Sequence, residues 1–474
     1  MVITDGQSVK NLTNSSFIFS HMKKLLFLLA ALPFCVAAQT EEDAAFIRKL
    51  ADEVLVNGKA HDLLRDLTKN IGHRLSGSPQ YNKAAVWGKT EMEKMGADKA
   101  WLQECLVPNW KRGGEEVFIA EMDGRKQTRK LNALGLGNSL GSGKPVVAKV
   151  LAVQDFNDLE KRKDEVKGKI VYYNAAFDQR HVQTFRAYGE MGQYRRSGAS
   201  RAAKYGAVGT LIRSLGGGTD NFAHTGSMAY NDSLPKIPGA ALGLRDADFL
   251  WDMTRHTDVT VSLTTSGKFN PDTINHNVIA ELRGSQFPDT YITIGGHLDS
   301  WDVGEGAHDD GAGIVQTMEI LRAFKQLGYQ PRYSIRFVLF ANEENGLRGG
   351  QKYAEEAKAK GEKHLFALES DAGGFTPRGF GFTASPEQLA KIKAWLPLLK
   401  PYGIGDLEAG GGGADIGPLR SLGTVLAGLQ PDSQRYFDVH HTHNDVFENV
   451  NKRELHLGAL NMAALIYLVD KYGL

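Results

Sequence analysis

Five short segments of this chain concentrate imidazoles and carboxylates. They are Gly296-His297-Leu298-Asp299-Ser300, Ala307-His308-Asp309-Asp310-Gly311-Ala312-Gly313, Asn342-Glu343-Glu344, Glu369-Ser370-Asp371-Ala372 and His440-His441-Thr442-His443-Asn444-Asp445. Histidine nitrogens and carboxylate oxygens are the ligands that hydrolytic zinc takes. Two metals, one carboxylate shared between them and one glutamate left free would make a site for metal-assisted hydrolysis.

His297 and Asp299 alternate along an extended segment, so their side chains face opposite ways. Asp299 can orient a ligand histidine, the job of such second carboxylates, only if the chain kinks after His297. Asp309 and Asp310 open a predicted helix. One acid suffices as a cap, and the second suits an aspartate that holds two zinc ions roughly 3.5–4 Å apart. Glu343 and Glu344 directly follow the apolar run Phe337-Val338-Leu339-Phe340. Carboxylates there cost desolvation unless paired or metal-bound; a solvated loop is the plain alternative. The functional reading divides their work. Glu344 ligates a metal, and Glu343 stays free to take a proton from water whose pKa a metal can lower to about 7. Asp371, at the end of the next strand, is a further ligand. In the last segment His440, His441 and His443 all qualify, and spacing does not choose among them. The shell then has His297 and Asp371 on one zinc, Glu344 and one of these histidines on the other, and Asp309 shared.

Such a shell needs a scaffold that gathers it at one edge. Apolar runs predict strands over 278–282, 291–295, 333–340, 365–368 and 425–429, with helices over 311–327, 349–360, 387–399 and 452–472. Alternating strands and helices predict an α/β fold, a mostly parallel sheet flanked by helices. Ligands of such sheets sit beyond the carboxyl ends of strands, where His297, Glu343, Glu344 and Asp371 fall. Upstream, helices are expected over 43–70 and 80–96, with a loop at 74–79 between them, and strands over 101–107 and 116–122. From about residue 130 the chain turns glycine-rich and then into short units: strands at 146–153, 169–173, 207–212, 240–242 and 259–264, and helices at 156–162 and 198–205. No catalytic-looking cluster lies there. The expected division is 39–130, first part of a catalytic domain; 131–270, an inserted α/β unit; and 271–474, second part of the catalytic domain with the metal site.

Composition narrows the class. The chain has 474 residues, 42% apolar and 23% charged, with a net charge of +1. No basic excess points to nucleic acid or an anionic membrane surface. Residues 1–38 read as a signal peptide with an upstream segment. Lys23 and Lys24 precede a short apolar run, and Val36-Ala37-Ala38 suits cleavage near Ala38. That predicts export, periplasmic or secreted; the run is too short for a spanning helix of roughly 20 residues. Met22 is an alternative start. Cleavage would leave Cys105 without Cys35, which excludes an intrachain disulfide and cysteine zinc ligation.

At these residues the chain resembles the di-zinc aminopeptidase superfamily of metallopeptidases, and within it the carboxypeptidase Q branch. Residues 296–304 are similar to the first metal motif of that family and residues 309–313 to its bridging-aspartate segment. Asn342-Glu343-Glu344 resembles the base-plus-ligand pair, and residues 369–373 and 440–445 the last two motifs. The family pattern sets a ligand histidine four residues before an acid, which selects His441, with Asp445. Residues 166–171 and 202–207 resemble a protease-associated domain, assigned to the insert. The resemblance implies a zinc-exopeptidase type of fold, two Zn2+ ions, a short peptide substrate, Glu343 and Asp299 as catalytic residues, and a secreted protein able to form a homodimer. The chain departs from many aminopeptidases of the superfamily at Ala414-Asp415-Ile416, where they carry Ser-Asp-His; this favours the carboxypeptidase Q branch. The expected function is an exported dizinc metallo-exopeptidase that cleaves dipeptides or short peptides, with an aminopeptidase as the alternative specificity. Two rivals share the fold: a non-catalytic, receptor-like binding module, and a one-zinc cyclase of N-terminal glutamine, against which His297 speaks. Asp302 and Asp415 are offered for a substrate's free α-amino group, with solvated surface acids as the alternative.

Overall fold

The computed structural model describes residues 41–474; the signal segment and its cleavage site lie outside the described residues. Two eight-stranded sheets organise the chain. In the first, the spatial order is Lys99–Lys111, Lys268–Leu282, Tyr333–Phe340, Phe287–His297, Lys363–Glu369, Val425–Pro431, Pro377–Thr383 and Asp406–Ala409. Its four central strands, from Tyr333–Phe340 to Val425–Pro431, are mutually parallel. Antiparallel pairings flank them on both sides. The sheet is therefore mixed, and parallel where the candidate residues emerge.

Burial explains this placement. Tyr333–Phe340 is buried at every position after Tyr333, as a strand covered on both faces must be. The helices Ala312–Gln326 and Lys452–Tyr472 pack together against the sheet, and the second of them buries residues all around its circumference, from Leu455 to Asp470. Its start is fixed by Asn451, whose side chain accepts the amides of Arg453 and Glu454. Truncating a fully buried side chain such as Leu339 to alanine would cost about 2–5 kcal/mol.

The second sheet runs Arg125–Leu131, Glu115–Met122, Val259–Thr265, Val146–Val153, Ile170–Tyr173, Gly209–Arg213, Gly239–Leu242 and Ala133–Gly135. Successive residues of Ile170–Tyr173 enter opposite cores. Val171 and Tyr173 pack with Tyr194, Ala199 and Ala202 of the helix Thr184–Ala203. Ile170 and Tyr172 pack with Ala247 and Leu250 of the helix Leu244–Thr254. Helices thus cover both faces, with Phe156 and Leu159 of the helix Phe156–Lys161 joining the first core.

Several elements differ from expectation. The strand Glu115–Met122 pairs in the second sheet, which therefore begins before the glycine-rich stretch. The expected helix over 43–70 is interrupted at residues 58–59. The helix read over 198–205 spans Thr184–Ala203. Its buried side is built largely from alanine, glycine and serine and even includes Arg195, so it lacks the apolar rhythm a periodicity reading needs. No helix among the described residues is long and apolar enough to cross a membrane.

Candidate metal centre

The strand Phe287–His297 delivers His297 to the carboxyl edge of the first sheet. The chain bends at Leu298, and the bend brings the backbone carbonyl of Asp299 to 3.0 Å from His297 Nδ1. The orienter of His297 is therefore this carbonyl. The Asp299 carboxylate is 3.8 Å from Nδ1 and is engaged elsewhere. It accepts the amide hydrogens of Glu343 at 3.0 Å and Glu344 at 3.3 Å, and so fixes the turn that carries both glutamates. That turn begins at Asn342 and ends at Leu347, both in the left-handed region.

Asp309 and Asp310 divide their roles as two adjacent acids can. The Asp310 carboxylate accepts the amide of Gly313 at 3.0 Å, at the start of the helix Ala312–Gln326, and the amide of His297 at 3.1 Å. It acts as a cap and ties the helix to the strand end. Glycine at 296 permits this closeness, since a Cβ there would lie 2.3 Å from Asp310 Oδ2. Asp309 turns into the site. Its backbone amide, like that of His308, is held by Asp445.

The five ligand candidates converge. His297 Nε2 lies 3.2 Å from Asp309 Oδ1 and 3.3 Å from Asp371 Oδ1. His441 Nε2 lies 3.1 Å from Asp309 Oδ2 and 3.1 Å from Glu344 Oε2. The two oxygens of Asp309 thus face different histidines. Of the other imidazoles in the last segment, His443 is exposed. His440 stacks on His441 and keeps its Nε2 3.7 Å from Asp309. Asp445 acts on Asp309 through the amide and is not the partner of His441. His441 Nδ1 instead faces the backbone carbonyl of Thr225 at 3.2 Å.

The electrostatics suit a cation. Burial pushes the Glu344 carboxyl up to about 7, with Asp309 adding to the effect. Burial and the neighbouring Asp371 likewise push Glu369 up to about 7. Glu343 is raised well above the ordinary glutamate range by burial first, then by Asp371, Glu344 and Asp299. Asp309 Oδ2 and Glu344 Oε1 are buried and accept no hydrogen bond. Buried polar atoms are rarely left so, and divalent cations would reverse the cost of gathering these carboxylates. Among the described residues, two sets of three have ligand atoms close enough to share an ion, His297 with Asp309 and Asp371, and Asp309 with His440 and His441. With Nδ1 of His297 and of His441 each against a carbonyl, both Nε2 atoms are left to face a bound cation. The donor set fits zinc.

A cavity of about 410 Å3 opens over this cluster, lined by Glu343, Glu344 and Asp371 and also by Arg196 and Met228. Asp302 is unavailable to an α-amino group because Arg112 grips both of its oxygens. Asp415 is buried with neither oxygen hydrogen-bonded and lies beside Glu369 and Glu343.

Reading by residue type missed Arg74, Arg112 and Thr225. Arg74 is completely buried and donates to the carbonyls of Leu298, Glu305 and Gly306, which pins the loop between His297 and Asp309. Arg74 stands in the Arg74-Leu75-Ser76-Gly77-Ser78-Pro79 stretch, which read only as a helix break. No residue pattern announces a carbonyl acceptor such as that of Thr225.

Known proteins are similar to this chain in sequence and in fold. Residues 277–466 match the model of a family described as Peptidase family M28. The chain is 35% identical over 434 residues to carboxypeptidase Q of Mus musculus, covering 91% of this chain and 90% of that protein. Carboxypeptidase Q of Homo sapiens is 35% identical over 429 residues, with 89% and 88% covered. Among solved structures, a peptidase M28 precursor from Shewanella amazonensis superposes with a TM-score of 0.86 at 32% identity, over 91% of this chain and 97% of that one. BSAP, a zinc aminopeptidase from Bacillus subtilis, shares the fold with a TM-score of 0.63 at 19% identity, over 86% and 94%.

Proposed function

Because the chain belongs to peptidase family M28, we propose that it is an exported di-zinc exopeptidase that cleaves dipeptides or short peptides. Asp309 is the shared ligand, His297 and Asp371 complete one zinc site, and Glu344 and His441 complete the other. The observation that carries this reading is the seat of Asp309, with its two oxygens 3.2 Å and 3.1 Å from the Nε2 atoms of His297 and His441. Asp309 Oδ2 and Glu344 Oε1, both without a hydrogen bond, support it. A receptor-like module has no need of such a set.

When bound, zinc supplies Lewis acidity that acidifies water and polarises the scissile carbonyl. The protein's own residues do the rest. Glu343 lines the cavity without a role in the shell, and burial and neighbouring acids raise its proton affinity. It takes the proton of the attacking water and returns it to the leaving amine. Asp299 is a positioning residue that holds the Glu343 and Glu344 amides.

Carboxyl-end or dipeptide specificity is favoured by the likeness to proteins named carboxypeptidase Q. Arg196 supports it as well, being an exposed cation on the cavity wall suited to a terminal carboxylate. The segments 39–130 and 271–474 form the catalytic domain in this reading. Residues 131–270 are its protease-associated insert, whose sheet also takes in the strands Glu115–Met122 and Arg125–Leu131 from the first segment, and the active protein can be a homodimer. The test is a dipeptide panel with each end free or blocked, assayed alongside zinc content. Cleavage that survives N-acetylation and is lost on C-amidation is expected. The reverse pattern makes the protein an aminopeptidase, and a chain without zinc or cleavage overturns the reading.

A further inference from the structure

We infer that Thr225 and Arg112, which lie outside the proposed catalytic shell, are positioning residues that set the affinity of one zinc site and leave the other unaffected. This inference rests on the di-zinc reading above. Thr225 lies between the strands Gly209–Arg213 and Gly239–Leu242 of the second sheet and is completely buried. Its backbone clamps His441 from both directions. The Thr225 amide donates to the His441 carbonyl at 3.0 Å, and the Thr225 carbonyl faces His441 Nδ1 at 3.2 Å.

The clamp is itself fixed through the threonine hydroxyl. Thr225 Oγ1 donates to the Gly135 carbonyl at 2.9 Å and accepts from Arg112 Nη2 at 3.1 Å. Arg112 also donates to Gly135, and it grips Asp302 through Nε and Nη2. Asp302 belongs to the loop that follows His297. A continuous set of hydrogen bonds therefore runs from that loop, through Arg112 and the Thr225 hydroxyl, to the ring of His441. Arg195 adds a donor to the Thr225 carbonyl at 3.4 Å. The indole of Trp301 stands edge-on to the His441 ring.

His297 is oriented differently. Its Nδ1 faces the carbonyl of Asp299, two residues along its own chain. A local backbone bend thus aligns one ligand histidine, and a side-chain assembly anchored in the second sheet aligns the other. Outer-shell partners of a ligand histidine typically change metal affinity by roughly 10–100-fold. Loss of the hydroxyl of Thr225 should therefore weaken the site built on Glu344 and His441, and spare the site built on His297 and Asp371.

The test is zinc titration of metal-free protein against a competing chromophoric chelator, for wild type, Thr225→Val, Thr225→Ser and Arg112→Lys. Valine keeps the shape and removes the hydroxyl, whereas serine keeps the hydroxyl. The wild type should bind two zinc ions tightly. Thr225→Val should keep one at the wild-type affinity and bind the second about tenfold or more weakly. Arg112→Lys should show the same split, and Thr225→Ser should match the wild type. Split affinities in Arg112→Lys support the inference even if Thr225→Val does not fold. Unchanged affinities in both variants, or an equal loss at both sites, overturn it. A wild type that binds no pair of ions overturns the di-zinc reading instead.

Discussion

The carboxyl edge of the first sheet and the flank of the second both bury carboxylates, but they satisfy them differently. Asp246, beside the second sheet, accepts from the amide of Asn132, the side chain of Asn221 and the guanidinium of Arg129. At the first sheet, Asp309, Glu344 and Asp415 each keep at least one buried oxygen without any donor. An internally satisfied acid holds the polypeptide in place, as Asp246 does here and as Asp299 does beside the site. Acids gathered without donors signal a partner that the polypeptide does not supply. The contrast separates structural from functional acids more sharply than burial does, since both groups are buried.

The strongest way to break the comparison is Asp309→Asn. It should abolish retention of both zinc ions and reduce dipeptide turnover by roughly 10⁴-fold or more, read from metal content and kcat. One zinc retained at full affinity would remove Asp309 from the shared position. Next in size, Glu343→Gln should lower kcat by about 10²–10⁴-fold and leave zinc content intact. Activity close to wild type would place the proton transfer elsewhere.

A pH experiment sharpens the same contrast. Burial and Asp371 hold the folded-state pKa of Glu369 at about 7, above its ordinary value of 4.5. The folded state therefore keeps this proton over a range where the unfolded chain has lost it. The stability contribution is complete below about pH 4.5 and is lost as pH rises through about 7. In the metal-free protein, Glu369→Gln should gain on wild type across that window, by about 1–3 kcal/mol in denaturant melts. A Glu369→Gln variant that loses stability relative to wild type as pH rises would contradict it. The smallest effect is expected at the second sheet. Asp246→Asn should cost about 1 kcal/mol of stability and leave zinc content unchanged.

The sequence made one side of this contrast legible and hid the other. Central strands were readable because a strand covered on both faces is an unbroken apolar run, as in Phe337-Val338-Leu339-Phe340. The acids and imidazoles were readable because they interrupt such runs at their ends. The last two strands of the first sheet, Pro377–Thr383 and the edge strand Asp406–Ala409, carry glycine, arginine and acids, and nothing in those types distinguishes them from loop. Asp299 was legible as an orienting acid, yet which atoms it orients depends on the bend at Leu298. The parts that hold His441 were illegible because Thr225 acts through its backbone, and only folding brings Arg112 and residue 225 together.

The most direct measurement of the central claim is native mass spectrometry of the purified protein, titrated with zinc after chelation. The account predicts two zinc ions per chain, with neither bound tightly by Asp309→Asn. A wild type that saturates at one ion or none, or an Asp309→Asn variant that still takes up two, would contradict it.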